Sequence, residues 1–149
     1  MIRFLLSALA ALLIAAPVPV QAAELATTTL TIGTHKVTAE VATTPEQQMT
    51  GLMYRFSLKP DTGMLFPFER PEVRSFWMRN TYIALSIAFI GADGRILNIE
   101  DMSPLTDDPH WSKGAALFAL EMKKGWFKER GIDVGDTVKG LPVAGRTRQ

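Results

Sequence analysis

The chain has 149 residues, 47% of them hydrophobic, with 16 basic and 15 acidic side chains and no cysteine. That length gives one domain with enough interior for a core, and the absent cysteines exclude disulfides, thiol catalysis, zinc–thiolate sites and a lipoprotein anchor. A charge this close to neutral argues against partners recognised by bulk electrostatics, so neither nucleic acid nor an anionic membrane surface is expected.

The first 22 residues have the layout of a signal peptide: a basic start in MIR, an apolar run FLLSALAALLIAA, and the helix-breaking, small-residue close PVPVQA. The apolar run is too short to span a bilayer comfortably, and Pro17 and Pro19 interrupt it too early for an uncleaved anchor. Cleavage after Ala22 would remove Arg3 and leave 15 basic and 15 acidic residues. The remainder, from residue 23, reads as a single exported, periplasmic domain with no membrane contact beyond the signal segment.

LATTTLTIGTHKVTAEVA, residues 25 to 42, alternates with period two on either side of a Gly33-containing turn and predicts a β-hairpin. Thr44-Pro45-Glu46-Gln47 is a capping box with proline at the first helical position, opening a short helix expected to run to about Tyr54. Pro67 within MLFPF points to an edge strand or a bend. Residues 75 to 90 read as one long extended stretch, or as two strands joined at Asn80-Thr81, the second apolar on both faces. Asp93-Gly94 marks a hairpin turn into ILNIEDM, and a polar loop leads to the strand AALFALEM. GWFKERG supplies one helical turn, Gly135-Asp136 turns into a last strand, and the tail from Ala144 is expected to fray. Six to eight strands with regular turn signals and little helix predict an all-β sandwich or partly closed barrel.

Catalytic signatures are sparse. There is no glycine-rich phosphate loop, no G-x-S-x-G elbow and no histidine pair at ligand spacing, so no cofactor and no metal are expected. Asp107 and Asp108 read as a solvated surface pair. Glu121 differs, because it alternates with Leu117 and Ala119 and approaches the core with them. It then needs a partner, which Arg55 or Arg79 would supply as a fork, and a structural bridge and a functional acid are equally open. Six methionines lie beyond residue 22, and Met53, Met64 or Met78 with a histidine would suit Cu(I), against the plainer role of core filler. In RSFWMRNT, residues 74 to 81, each face of an extended chain mixes apolar and hydrogen-bonding groups. Trp77 beside Met78, Asn80 and Thr81 is equipment for stacking on a flat or sugar-like ligand, or for anchoring a bend.

The run GLMYR-x2-L-x2-D-x-GMLF from 51 to 66, with SFWMRNT at 75 to 81, ADGRI at 92 to 96 and the segment ALFALEMKKGWFKERGIDVGDTV, resembles the bacterial and archaeal domain of unknown function 192, also called uncharacterised protein family 0127. The resemblance covers about residues 27 to 142 and implies a compact β sandwich or barrel of jelly-roll-like character, in a family whose members are often exported. It carries no established activity. Its motif positions fall on Gly51, Leu52, Met53, Arg55, Asp61, Gly63, Met64, Phe66, Trp77, Met78, Asn80, Thr81 and Glu121. Where the family usually has Pro-Leu-Asp, this chain has Ala84-Leu85-Ser86, which weakens an acid-catalysed reading. The expectation is a binding module in which Arg55, Trp77, Met78, Asn80, Thr81 and Glu121 line a shallow cleft for a small polar or cell-envelope glycan ligand. An envelope-polymer hydrolase using Glu121 and a Cu(I) chaperone are the alternatives.

Overall fold

The computed structural model describes residues 24–143. The expected signal peptide and the tail from Ala144 lie outside the described residues. The chain starts as predicted, with β1 (Thr27–Ile32) and β2 (His35–Val41) paired antiparallel across a turn in which Gly33 has φ 58°. The capping box forms as well. Gln47 N donates to the Thr44 hydroxyl at 3.2 Å, and the Gln47 side-chain oxygen accepts from Thr44 N at 3.1 Å. The helix it opens, α1 (Pro45–Thr50), is shorter than expected. Gly51 leaves helical geometry at φ 47°, and Tyr54, where the helix was expected to end, sits in the left-handed region at φ 63°.

Beyond α1 the chain enters β3 (Thr62–Glu72), which runs parallel to β2 and antiparallel to β8 (Ala116–Lys123). Of the two expectations for MLFPF, the edge strand is corrected, since β3 is interior to the sheet, while the bend agrees with an irregularity in the pairing with β8 between Pro67 and Glu72. Proline is tolerated because pairing with β2 ends at Leu65, two residues before it. Pro67 therefore owes β2 no N–H, and its carbonyl instead accepts from the Gln48 amide at 2.7 Å. Past Pro67 the register with β8 shifts.

Residues 75 to 90 are not one extended stretch. β4 (Ser75–Phe76) pairs with β7 (His110–Trp111) in a small separate ribbon that local sequence did not signal. The chain then reverses through a turn in which Thr81 N donates to Met78 O at 3.1 Å and Asn80 has φ 54°. β5 (Leu85–Ile90) follows, buried at every position, and the Asp93-Gly94 turn delivers β6 (Ile96–Met102). After β8 come the single turn α2 (Trp126–Glu129) and β9 (Val138–Lys139).

The main sheet has the order β6-β5-β8-β3-β2-β1-β9 and curls into a half-barrel. Its ends are linked at one point, where Ile96 N donates to Asp136 O at 2.9 Å and Val138 N to Gly94 O at 2.8 Å. One apolar cluster draws on all seven strands and on Trp126 and Phe127 of α2, and is the side the curl encloses. A second lies on the opposite face of β3, β5 and β8, where Met64, Phe66, Ile87, Phe89 and Ala119 are covered by Leu52, Phe76 and Met78. This outer layer contains the cleft.

Candidate functional site

Side-chain alternation along β8 turns Leu120 and Met122 into the enclosed cluster and Ala119 and Glu121 into the outer one. Glu121 stands in register with Met64 of β3 and Ile87 of β5, so both flanking residues are apolar. Gly63 brings β3 hard against this segment, and a methyl group there would collide with the Glu121 carbonyl and the Met122 sulfur. Glu121 is only 4% exposed and lines the cleft described below, and none of the hydrogen bonds among the described residues involves its carboxyl group. Burial in these apolar surroundings pushes its pKa up to about 8, which keeps it a neutral acid at pH 7.

The group faces a cleft of about 480 Å³ between the outer face of the sheet, α1 with its following turn, and the 74–81 and 107–109 segments. That volume lies within the range of about 300–1,000 Å³ usual for small-molecule sites. Trp77, 41% exposed, forms part of its wall, with the Arg79 guanidinium 4.1 Å from the indole centroid. Arg79 Nε in turn donates to Asp107 Oδ1 at 3.0 Å, which holds the Asp107 carboxyl below its ordinary range. Arg74 also lines the cleft, its guanidinium stacked 4.2 Å from the Phe68 centroid. Its Nη2 donates to Arg70 O at 2.8 Å, while its Nε is buried without a partner.

Of the six residues expected to line the site, Trp77, Thr81 and Glu121 do so, and Arg55, Met78 and Asn80 do not. Arg55 does not reach Glu121. The chain reverses at Tyr54 and sends the guanidinium to Glu40 of β2, which it engages through both nitrogens. Met78 is fully buried as cover for the outer cluster, and Met64 is buried in the same cluster. Asn80 serves its own turn, donating from Nδ2 to the Tyr54 hydroxyl at 3.0 Å and accepting Tyr54 N at its carbonyl at 2.9 Å. The bend at Asn80 lets Trp77 and Thr81 face one cleft without a continuous strand between them.

Sequence reasoning missed Arg74, Phe76, Gln48 and Asp107. Arg74 and Phe76 lay within the stretch singled out, and their mixture of charge and aromaticity was an available signal. Gln48 and Asp107 gave none, because their partners Pro67 and Arg79 are 19 and 28 residues away. Ser86, where the family resemblance leads to the expectation of an aspartate, donates its hydroxyl to Asp101 and accepts Gly125 N at 2.9 Å. A carboxylate from the neighbouring strand thus stands against it. The motif residue Asp61 lies on the other side of the sheet, where Trp126 Nε1 and Arg130 Nη2 donate to its Oδ1 at 2.9 and 2.8 Å.

Comparison with curated proteins gives no match. Several solved chains are similar, among them the following two. One is a protein described as a "putative transcription regulator" from Sinorhizobium meliloti 1021, 33% identical with a TM-score of 0.77, over 80% of this chain and 98% of that one. The other is a protein of unknown function from Novosphingobium aromaticivorans DSM 12444, 35% identical with a TM-score of 0.71, over 83% of this chain and 91% of that one. The family model of DUF192, described as Uncharacterized ACR, matches residues 28–140, and the chain belongs to that family.

Proposed function

We propose that the protein is an exported, periplasmic binding module that holds a small polar or sugar-like ligand in the cleft beside Glu121. The observation that carries this reading is the carboxyl itself. The residue is only 4% exposed, its carboxyl makes no hydrogen bond among the described residues, and it lines an open cleft. A ligand hydroxyl or carbonyl in the cleft would give this carboxyl a hydrogen-bond partner. Trp77, braced by Arg79, offers a flat apolar face for stacking, and Thr81 and Gln48 border the same space. Export rests on the layout of residues 1–22, and a secreted product beginning at Ala23 by intact mass is its test.

Binding is tested by tryptophan fluorescence against a panel of cell-wall fragments and polar metabolites. A responding ligand should lose most of its signal in Trp77→Phe, because Trp77 is the tryptophan that lines the cleft, whereas Trp111 and Trp126 do not line it. Silence across the panel, or a response untouched by Trp77→Phe and Glu121→Gln, would sink the proposal.

The second reading is a hydrolase for an envelope polymer. It is favoured by the burial of Glu121 at the cleft, which raises its pKa to about 8 and favours the protonated acid at neutral pH. It requires a folded Glu121→Gln variant to bind substrate and lose all turnover.

A further inference from the structure

We propose that the protein carries a second binding site, for hydrogenphosphate, in a pocket between the start of β3, the end of β8 and α2. Lys59, Lys123 and Lys124 supply the charge, and Asp61 accepts the ion's one hydrogen. The pocket shares no lining residue with the cleft beside Glu121, so it stands or falls independently of the role proposed there.

Sheet register assembles the pocket. β3 and β8 pair as far as Gly63 opposite Met122, which sets Thr62 and Asp61 beside the next residues of β8 and its exit, Lys123 and Lys124. Lys59 is folded onto the same place by a turn in which Thr62 N and the Thr62 hydroxyl both donate to Lys59 O, at 3.2 and 2.7 Å. α2 supplies the remaining wall. Trp126 Nε1 and Arg130 Nη2 donate to Asp61 Oδ1 at 2.9 and 2.8 Å, and the Arg130 guanidinium lies 4.4 Å from the Trp126 centroid. The space between them is about 220 Å³. Sites for whole small molecules start at about 300 Å³, so this one suits a compact ion.

Charge decides the sign of that ion. Four cations and two carboxylates line the pocket, a surplus of two positive charges on a chain whose total is +1. Both carboxylates are served by one cation, since Arg130 lies 2.8 Å from Asp61 and 3.7 Å from Glu129. Every arginine among the described residues has a carboxylate within 4 Å, whereas Lys59, Lys123 and Lys124 have none there. Three like charges gathered around one concavity repel one another, and a dianion between them reverses that term.

The free acceptors choose among dianions. Both donors to Asp61 use Oδ1, so Oδ2 accepts nothing among the described residues, and the Glu129 carboxyl accepts nothing there either. The Trp126 hydrogen bond holds the Asp61 carboxyl below its ordinary range, which keeps it an acceptor. Sulfate carries two charges but no hydrogen, and would set an oxygen against these carboxylates. Inorganic phosphate at pH 8 carries the same charge and keeps one P–O–H, which Asp61 Oδ2 can accept while the lysines donate to the other oxygens.

The test is isothermal titration calorimetry on the intact protein at pH 8 and fixed low ionic strength, with inorganic phosphate, sulfate and glycerol 3-phosphate. The last, a monoester with a second pKa of about 6, is a dianion without a hydrogen at this pH. Phosphate should bind one per chain, and the other two on the order of tenfold more weakly. The double variant Lys123→Gln, Lys124→Gln should weaken phosphate on the order of tenfold and flatten its salt dependence. Asp61→Asn keeps an oxygen for Trp126 but places an amide N–H where Oδ2 stood, and should bring phosphate and sulfate to equal affinity. No phosphate binding, equal binding of the three dianions, or phosphate affinity unaltered in the double lysine variant overturns the assignment. If Asp61→Asn does not fold, the comparison of the three dianions on the wild type decides alone.

Discussion

Replacing Glu121 by glutamine should stabilise the protein at neutral and alkaline pH and leave it unchanged in acid. Folding moves this carboxyl from an ordinary pKa of 4.5 to about 8, because the folded state buries it among Met64, Ile87 and Ala119 with no cation in contact. The sign follows from proton binding. Below 4.5 both states are protonated and the residue is neutral in its effect. Between 4.5 and 8 the unfolded chain releases a proton that the folded chain retains, so stability declines by about 1.4 kcal/mol per pH unit. Above 8 both states are ionised and the loss stops growing. Integrated from pH 4 to pH 8, the penalty is on the order of 4 kcal/mol, a large share of a small domain's stability. Glutamine has nearly the same shape and cannot ionise. The difference between variant and wild type in urea-unfolding free energy should therefore rise from about zero at pH 4 to several kcal/mol at pH 8, with every other titrating group cancelling. A difference that stays flat with pH would refute the reasoning, since it would mean that Glu121 is charged and compensated in the folded state.

Gly63→Ala should fail to give a folded protein at 25 °C, as judged by far-ultraviolet circular dichroism, because the added methyl meets backbone of β8 that has no room to retreat. Asn80→Ala should cost about 1–2 kcal/mol in urea melts for a left-handed residue without glycine or asparagine. Asn80→Gly should recover part of that loss, though not the bond to Tyr54. Asp61→Ala leaves the indole N–H of the buried Trp126 without its acceptor, so its thermal midpoint should fall below that of Asp61→Asn, which keeps an acceptor oxygen.

The elements that local chemistry specifies were legible in the sequence. The β1–β2 hairpin, the Thr44 capping box, the doubly apolar β5 and the Asp93-Gly94 turn each depend on residues within a few positions of one another. What escaped depends on distant partners. Pro67 signals an edge, yet β2 stops pairing just short of it, and only the sheet's topology decides that. The β4–β7 ribbon joins residues some 35 positions apart, neither strand long enough to leave a periodic pattern. The candidate site divides along the same line. Glu121 was found by strand parity, and Trp77 and Thr81 by polarity out of place in a core strand. Arg55 and Asn80 looked functional because their structural partners, Glu40 and Tyr54, lie 15 and 26 residues away and could not be identified from the sequence.

The seam between Gly94–Ile96 and Asp136–Val138 bears on how the molecule is made. β1 is flanked by β2 and by β9, and Ile32 meets Val138 about a hundred residues later in the chain. β1 must wait for β9, made about a hundred residues later, before its second side is paired. Such long-range closure places folding in the slow, millisecond-to-second regime of β topologies. A chain cut before Asp136 would leave β1 with an open edge, able to pair with the same strand of another copy. The two-residue strand β9, which adds Val138 to the enclosed core, acts as the latch that turns a curled sheet into a finished one.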